Sequence, residues 1–270
     1  MVELNKKYQI GVRRFGLINW IGFKSLWLKE CNRFMVVWQQ TLLSPLVSSL
    51  LFLSVLSLAL GNNRDDVLEH SFVSFLAPGL IAMSILTQSF SHSVSSLMIS
   101  KIQGNIVDLL YAPLSALEVS MAIILAAITR SFLIAIISIA VFSLIVEMPI
   151  NKVLYILIFS FLGSFILGSL GFITGLWAEK FDHQATITNF VITPLSFLSG
   201  AFYSIEKLPE FFQTISHVNP FFYMIDGFRY GFLGVSDGSI KIGIIYLTFL
   251  SFVMGFIAYY LYKVGYKIKS

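Results

Sequence analysis

The sequence predicts an all-α integral membrane protein, and three observations carry that prediction: its composition, the spacing of its apolar runs and the placement of its basic residues. Of the 270 residues, 57% are hydrophobic and only 12% are charged, with a mean hydropathy of +0.83. A soluble domain carries roughly 25% charged residues, and half that supply cannot cover a water-facing surface. The bilayer is the natural solvent for such a chain. Because the apolar runs cover its whole length, 1–270 reads as a single membrane domain.

A crossing helix needs about 20 predominantly apolar residues. Six segments qualify: 36–60, 72–97, 117–146, 153–178, 187–203 and 240–262. Ahead of them lies 19–34, where Trp20, Phe23, Trp27 and Phe34 alternate with Lys24, Lys29, Glu30 and Arg33. Aromatics on one side and basic residues on the other predict an N-terminal interfacial helix lying in the headgroup plane; a cytosolic helix packed on a partner is the other reading.

Orientation follows from Lys and Arg in the flanks. With both termini cytoplasmic, twelve basic residues fall inside and five outside, Arg130 lying within a span. The net charge of +4 and pI of about 9.1 therefore read as membrane orientation and not as a nucleic-acid surface. The single cysteine, Cys31, excludes an internal disulfide and any multi-cysteine metal cluster. The first 35 residues lack an apolar run followed by a cleavage site, so no cleaved signal peptide is expected.

Two connections differ from simple loops. Segment 98–117, MISKIQGNIVDLLYAPLSAL, falls on the cytoplasmic side, and Ile102, Ile106, Leu109 and Leu110 recur at helical spacing until Pro113 ends the pattern. It predicts a short amphipathic helix. Segment 205–238 falls outside, too apolar for a free aqueous loop and too broken by Pro and Gly to cross. It predicts a re-entrant helix hairpin before the sixth span, because irregular backbone at membrane depth must be buried in protein or line a wet cavity.

Motifs for soluble chemistry are missing. The nearest approach to a phosphate-binding G-x-x-x-x-G-K-[ST] loop, 163–169, has no lysine, and neither H-E-x-x-H nor G-x-S-x-G occurs. No catalytic residue, metal site or cofactor is expected in the chain. Asp65, Asp66, Glu69 and His70 read as a solvated polar loop.

Polar residues inside spans carry the functional candidates. Ser84, Gln88, His92 and Ser96 are four apart and share one helix face. That face either lines a hydrated conduit or makes helix–helix hydrogen bonds, which average only about 0.6 kcal/mol. Arg130 must pair with another span, snorkel or contact substrate, since a guanidinium in hydrocarbon costs about 3 kcal/mol or more. Ser160, Ser164, Gly168, Gly171 and Gly175 form a small-residue stripe suited to close helix approach. Pro45 and Pro194 break the first and fifth spans, the latter ahead of Gly200.

This arrangement resembles the permeases of the ABC-2 type transporter family, in particular the YadH/NodJ-like subgroup. The resemblance covers essentially the whole chain. Its most specific part is the spaced set Ile192, Leu195, Leu198, Ser199, Ala201, Leu208, Pro209, Pro220, Phe221, Tyr223 and Arg229, with 219–234, NPFFYMIDGFRYGFLG, closest to the subgroup. A second match is Lys101, Gly104, Asp108, Leu109, Ala112 and Pro113, where Asp108 stands in place of a common Glu.

The resemblance implies an exporter permease in the bacterial inner membrane. Two copies, a homodimer in the simplest case, would enclose a conduit from their first, second and fifth spans. A separate ATPase carrying ATP and magnesium would grip 104–113 as a coupling helix. The cargo would be an amphipathic polysaccharide, lipo-oligosaccharide, lipid or drug. Phe211, Phe212, Phe221, Phe222 and Tyr223 would cap the exit or anchor the hairpin. Besides the ATPase and the second copy, membrane lipid is the expected partner, with no nucleic acid. The alternative is a membrane-embedded enzyme or assembly factor that works without an ATPase.

Overall fold

A computed structural model of the protein describes residues 18–60, 67, 68 and 70–268. The predicted polar loop at Asp65, Asp66 and Glu69, and the basic residues Lys6, Lys7, Arg13, Arg14, Arg64 and Lys269, lie outside the described residues. Among the described residues the fold is all-helical, apart from an isolated bridge between Val67 and His70.

Helix α1 (Trp20–Val36) starts at Asn19, whose side chain accepts the Gly22 N–H, and gives way at Val37. A π-helical turn, Gln39–Leu43, leads into α2 (Ser44–Leu60). Helix α3 (Phe72–Ile102) is capped by Ser71 and runs 31 residues, well beyond the predicted end at 97. After the short α4 (Ile106–Tyr111) comes α5 (Ala116–Phe142), opened by a capping box in which Ser115 and Glu118 exchange bonds. Helix α6 (Val153–Trp177) follows. The later elements are α7 (Phe181–Ile187), a second π turn Thr188–Ile192, α8 (Thr193–Phe197), α9 (Glu210–Val218), α10 (Pro220–Leu233) and α11 (Ile240–Lys263).

Among the described residues, five helices are long and apolar enough to cross a membrane: Gln39–Ala59, Phe72–Ile102, Ala116–Phe142, Val153–Trp177 and Ile240–Lys263. The segment predicted as a crossing at 187–203 is built differently. It is helical from 181 to 197, in runs of seven, five and five residues, and turns irregular afterwards. At 1.5 Å per residue those 17 residues reach about 25 Å, short of the ~30 Å hydrocarbon core.

The core is centred on α3 and α6, flanked by α5 and α10. Phe75, Phe90, Phe142, Phe159, Phe228 and Phe232 are fully buried there. The predicted small-residue stripe sets the α3–α6 spacing: a Cβ on Gly171 would lie 2.4 Å from the Phe90 carbonyl oxygen, so only glycine lets the two backbones approach this closely. The crossing stretches of the first span and α11 are mostly uncovered within the chain.

Candidate functional site

The candidate residues fall into three groups: one at each end of the helix bundle and one within the spans. At the first end, α4 sits between the last turn of α3 and the start of α5. Gly104, with φ +76, makes the reversal before it. Ile106 points inward and is buried, and Leu109 is half-buried beside it. Val107, Asp108 and Leu110 are exposed, and Tyr111 is 86% exposed. The sequence pattern identified Ile106, Leu109 and Leu110 but not Val107 or Tyr111, although both lie within one turn of Leu110.

This exposed helix rests on a braced platform. Lys101 Nζ donates to the carbonyls of Gly175, Leu176 and Ala178 at 3.2, 2.7 and 2.7 Å. It thereby caps the C-terminal end of α6, where a cation is favoured. The structure places Lys101 in this packing role and not on the exposed surface. Glu118 accepts the backbone N–H of Ser115 and of Asn19 at 2.5 Å each, and Asn19 Nδ2 donates to the Pro113 carbonyl at 3.1 Å. Helix α1, the α4 loop and α5 are therefore joined at one point. Nearby, Lys267 donates to Glu179 at 3.1 Å and holds that carboxyl below its usual range.

Within the spans, the predicted polar face of α3 packs on protein for most of its length. His92 and Ser96 are buried. Ser96 Oγ donates to Glu30 at 2.8 Å, and His92 stands edge-on to Phe34 with its Nε2 3.8 Å from the same carboxylate. Arg33 donates to Glu30 at 2.9 Å and to the His92 carbonyl at 3.2 Å. These contacts fasten α1 to α3. Ser84 bonds Ser49 of α2 at 2.9 Å. It also lines an open groove of about 240 Å³ with Ser48, Phe52, Thr87, Phe197 and Phe202.

Arg130 pairs with neighbouring spans. It donates to Gln88 Oε1 and, at 3.3 Å, to the Thr41 carbonyl. Pro45 has no N–H, and Thr41 is the residue whose carbonyl an α-helical N–H at 45 would reach. The proline break and the π turn thus supply an acceptor for a buried guanidinium. Pro194 repeats the layout, standing two residues after the second π turn as Pro45 stands two after the first. Pro194 itself is exposed.

At the opposite end, α10 anchors the turn at 198–205. Arg229 is fully buried, stacks 3.7 Å from the centre of the Phe75 ring, and donates to the carbonyls of Phe75, Gly200 and Ala201 at 3.3, 2.8 and 3.3 Å. Asp226 accepts the N–H groups of Asp237 and Gly238 at 2.9 and 3.0 Å, and Asp237 accepts Ser204 Oγ at 2.7 Å.

Asn219 opens α10 by accepting the Phe221 N–H and sends its Nδ2 to the Leu195 carbonyl at 2.7 Å, while Ser216 Oγ donates to the Leu198 carbonyl at 2.9 Å. Helices α9 and α10 thus close the frayed end of α8. Phe221 and Phe222 are core residues, Tyr223 is half-buried, and Phe211 and Phe212 are exposed on α9 with Leu208 and Pro209 just ahead.

A helical membrane chain, braced by buried polar pairs and presenting a short exposed helix at one end, has the build of a membrane permease. The family model for the ABC-2 type transporter matches residues 22–233, and the chain belongs to that family. It is 34% identical over 242 residues to the inner membrane transport permease YadH of Escherichia coli (strain K12), covering 90% of this chain and 93% of that one. It is also similar to nodulation protein J of Neorhizobium galegae, 24% identical over 231 residues with 84% and 87% covered. A third relative, nodulation protein J of Rhizobium leguminosarum bv. trifolii, is 28% identical over 234 residues with 81% and 83% covered.

Proposed function

We propose that the chain is the channel-forming subunit of an exporter driven by a separate ATPase, which docks on α4. The carrying observation is the contrast within that loop. Val107, Leu110 and Tyr111 are uncovered apolar side chains, yet the loop bearing them is tied to α1, α5 and α6 through Lys101, Asn19 and Glu118. A push on Tyr111 is passed to several helices at once. The excess of basic residues on this side supports cytoplasmic termini.

In this reading 181–197 is the fifth of six crossings, short and bent at its π turn, and α9–α10 form the re-entrant cap that completes its path across the bilayer. Two copies meet through the uncovered faces of the first span and 181–197. The Ser48–Ser84 groove then opens towards the conduit, with Phe211 and Phe212 at the outer rim. The cargo is an amphipathic lipid, saccharide conjugate or drug, which suits a groove of aromatic rings and hydroxyls.

The test is purification of the tagged chain in mild detergent from its own cells, with any nucleotide-binding ATPase that co-elutes identified by mass. A two-plus-two complex whose ATP hydrolysis falls at least tenfold in Tyr111→Asp (about 1.4 kcal/mol or more of coupling), with the helices intact, is expected. A chain that binds no ATPase would overturn the reading.

A further inference from the structure

On the side of the bundle formed by α5, α6 and α11, a cavity of about 650 Å³ is lined by Phe161, Phe165, Ser251, Phe252, Gly255 and Tyr259, among others. Its lining is almost wholly apolar and it is open to the surroundings. A second cavity of about 440 Å³ continues it towards the other end of α11. The two share Phe161, Leu162 and Thr248, the first two in the second quarter of α6 and the last the ninth residue of α11.

Its length and its end chemistry say what fills it. From Thr248 to Tyr259 is eleven residues of α11, about 16 Å at the helical rise, which is half of the ~30 Å hydrocarbon core. One cavity therefore matches one leaflet. At the end of the larger cavity Tyr259 supplies a phenol at the depth where such rings meet headgroups. One turn on, the exposed Lys263 has its Nζ 5.6 Å from the Tyr259 ring. Small side chains at Ser251 and Gly255 make the trough, and the Phe165 ring lies 3.0 Å from where a Cβ on Gly255 would be.

We infer that this trough is a specific site for an anionic phospholipid, one acyl chain lying between α5 and α11 over α6 and the phosphate held by Lys263. The leaflet is the cytoplasmic one if the orientation proposed above holds. The site itself needs only that α11 crosses the membrane, and its test uses the chain alone, so its failure leaves the ATPase reading untouched.

The full chain, purified in mild detergent with an equal mixture of phosphatidylglycerol and phosphatidylcholine, is read by native mass spectrometry for retained lipid. One phosphatidylglycerol per chain is expected in preference to phosphatidylcholine. Lys263→Gln should cut that preference about fivefold, the effect of one basic residue at a membrane surface. Thr248→Trp, which fills the bottom of the trough from a lipid-facing position, should reduce retention of both lipids. Size-exclusion profiles confirm that both variants are folded. Equal retention of the two lipids by the unaltered chain, or unchanged retention in either variant, would overturn the inference.

Discussion

Arg229 shows how one side chain organises the closed end of the bundle. Its guanidinium satisfies three backbone carbonyls on two separate segments while its face covers Phe75. Removing it strands those acceptors in a dry site, each costing about 1–3 kcal/mol. Arg229→Met should therefore cut the yield of folded protein sharply, and Arg229→Lys should recover only part, because one ammonium cannot span all three carbonyls. Thermal unfolding in detergent reads both.

Among the elements, the α3–α6 pair is held by backbone proximity and not by side-chain bulk. Gly171→Val should separate the helices and lower the Tm by the equivalent of about 1–3 kcal/mol, since the added carbons meet the Phe90 carbonyl and have no room to move. Gly255→Ala should be nearly silent, because its neighbour is a single aromatic ring. The periodic, apolar helices were the legible part of the fold: the predicted bounds 153–178 and 240–262 differ from the observed helices by one residue each. The fifth predicted span was displaced because hydropathy reports apolarity and is blind to the turn after Phe197, whose Leu198, Gly200 and Ala201 carbonyls are satisfied by Ser216 of α9 and Arg229 of α10. Arg130 was legible as a residue in need of a partner. Its acceptor at Thr41 was not, because it depends on a π turn that no local pattern announces. Lys101 and Glu118 also hid their bracing roles, since the contacts that tie them to α6 and to Asn19 lie 74 to 99 residues away in sequence.

For the whole molecule, the two ends differ in what they expose. The α9–α10 end is locked through Arg229, Asp226 and Asp237 and exposes Phe211 and Phe212 on α9, whereas the α4 end exposes Val107, Leu110 and Tyr111 on a loop tied to α1, α5 and α6. That asymmetry is the physical case for a drive applied at α4 and a path that leads away from it. It is most directly tested by placing a photo-crosslinking phenylalanine analogue at Tyr111, and in a separate strain at Phe211, and irradiating intact cells. The account predicts that position 111 captures a soluble nucleotide-binding protein and that position 211 does not. Capture of such a protein from 211, or its absence from 111 while the chain is present in the membrane at normal levels, would contradict it.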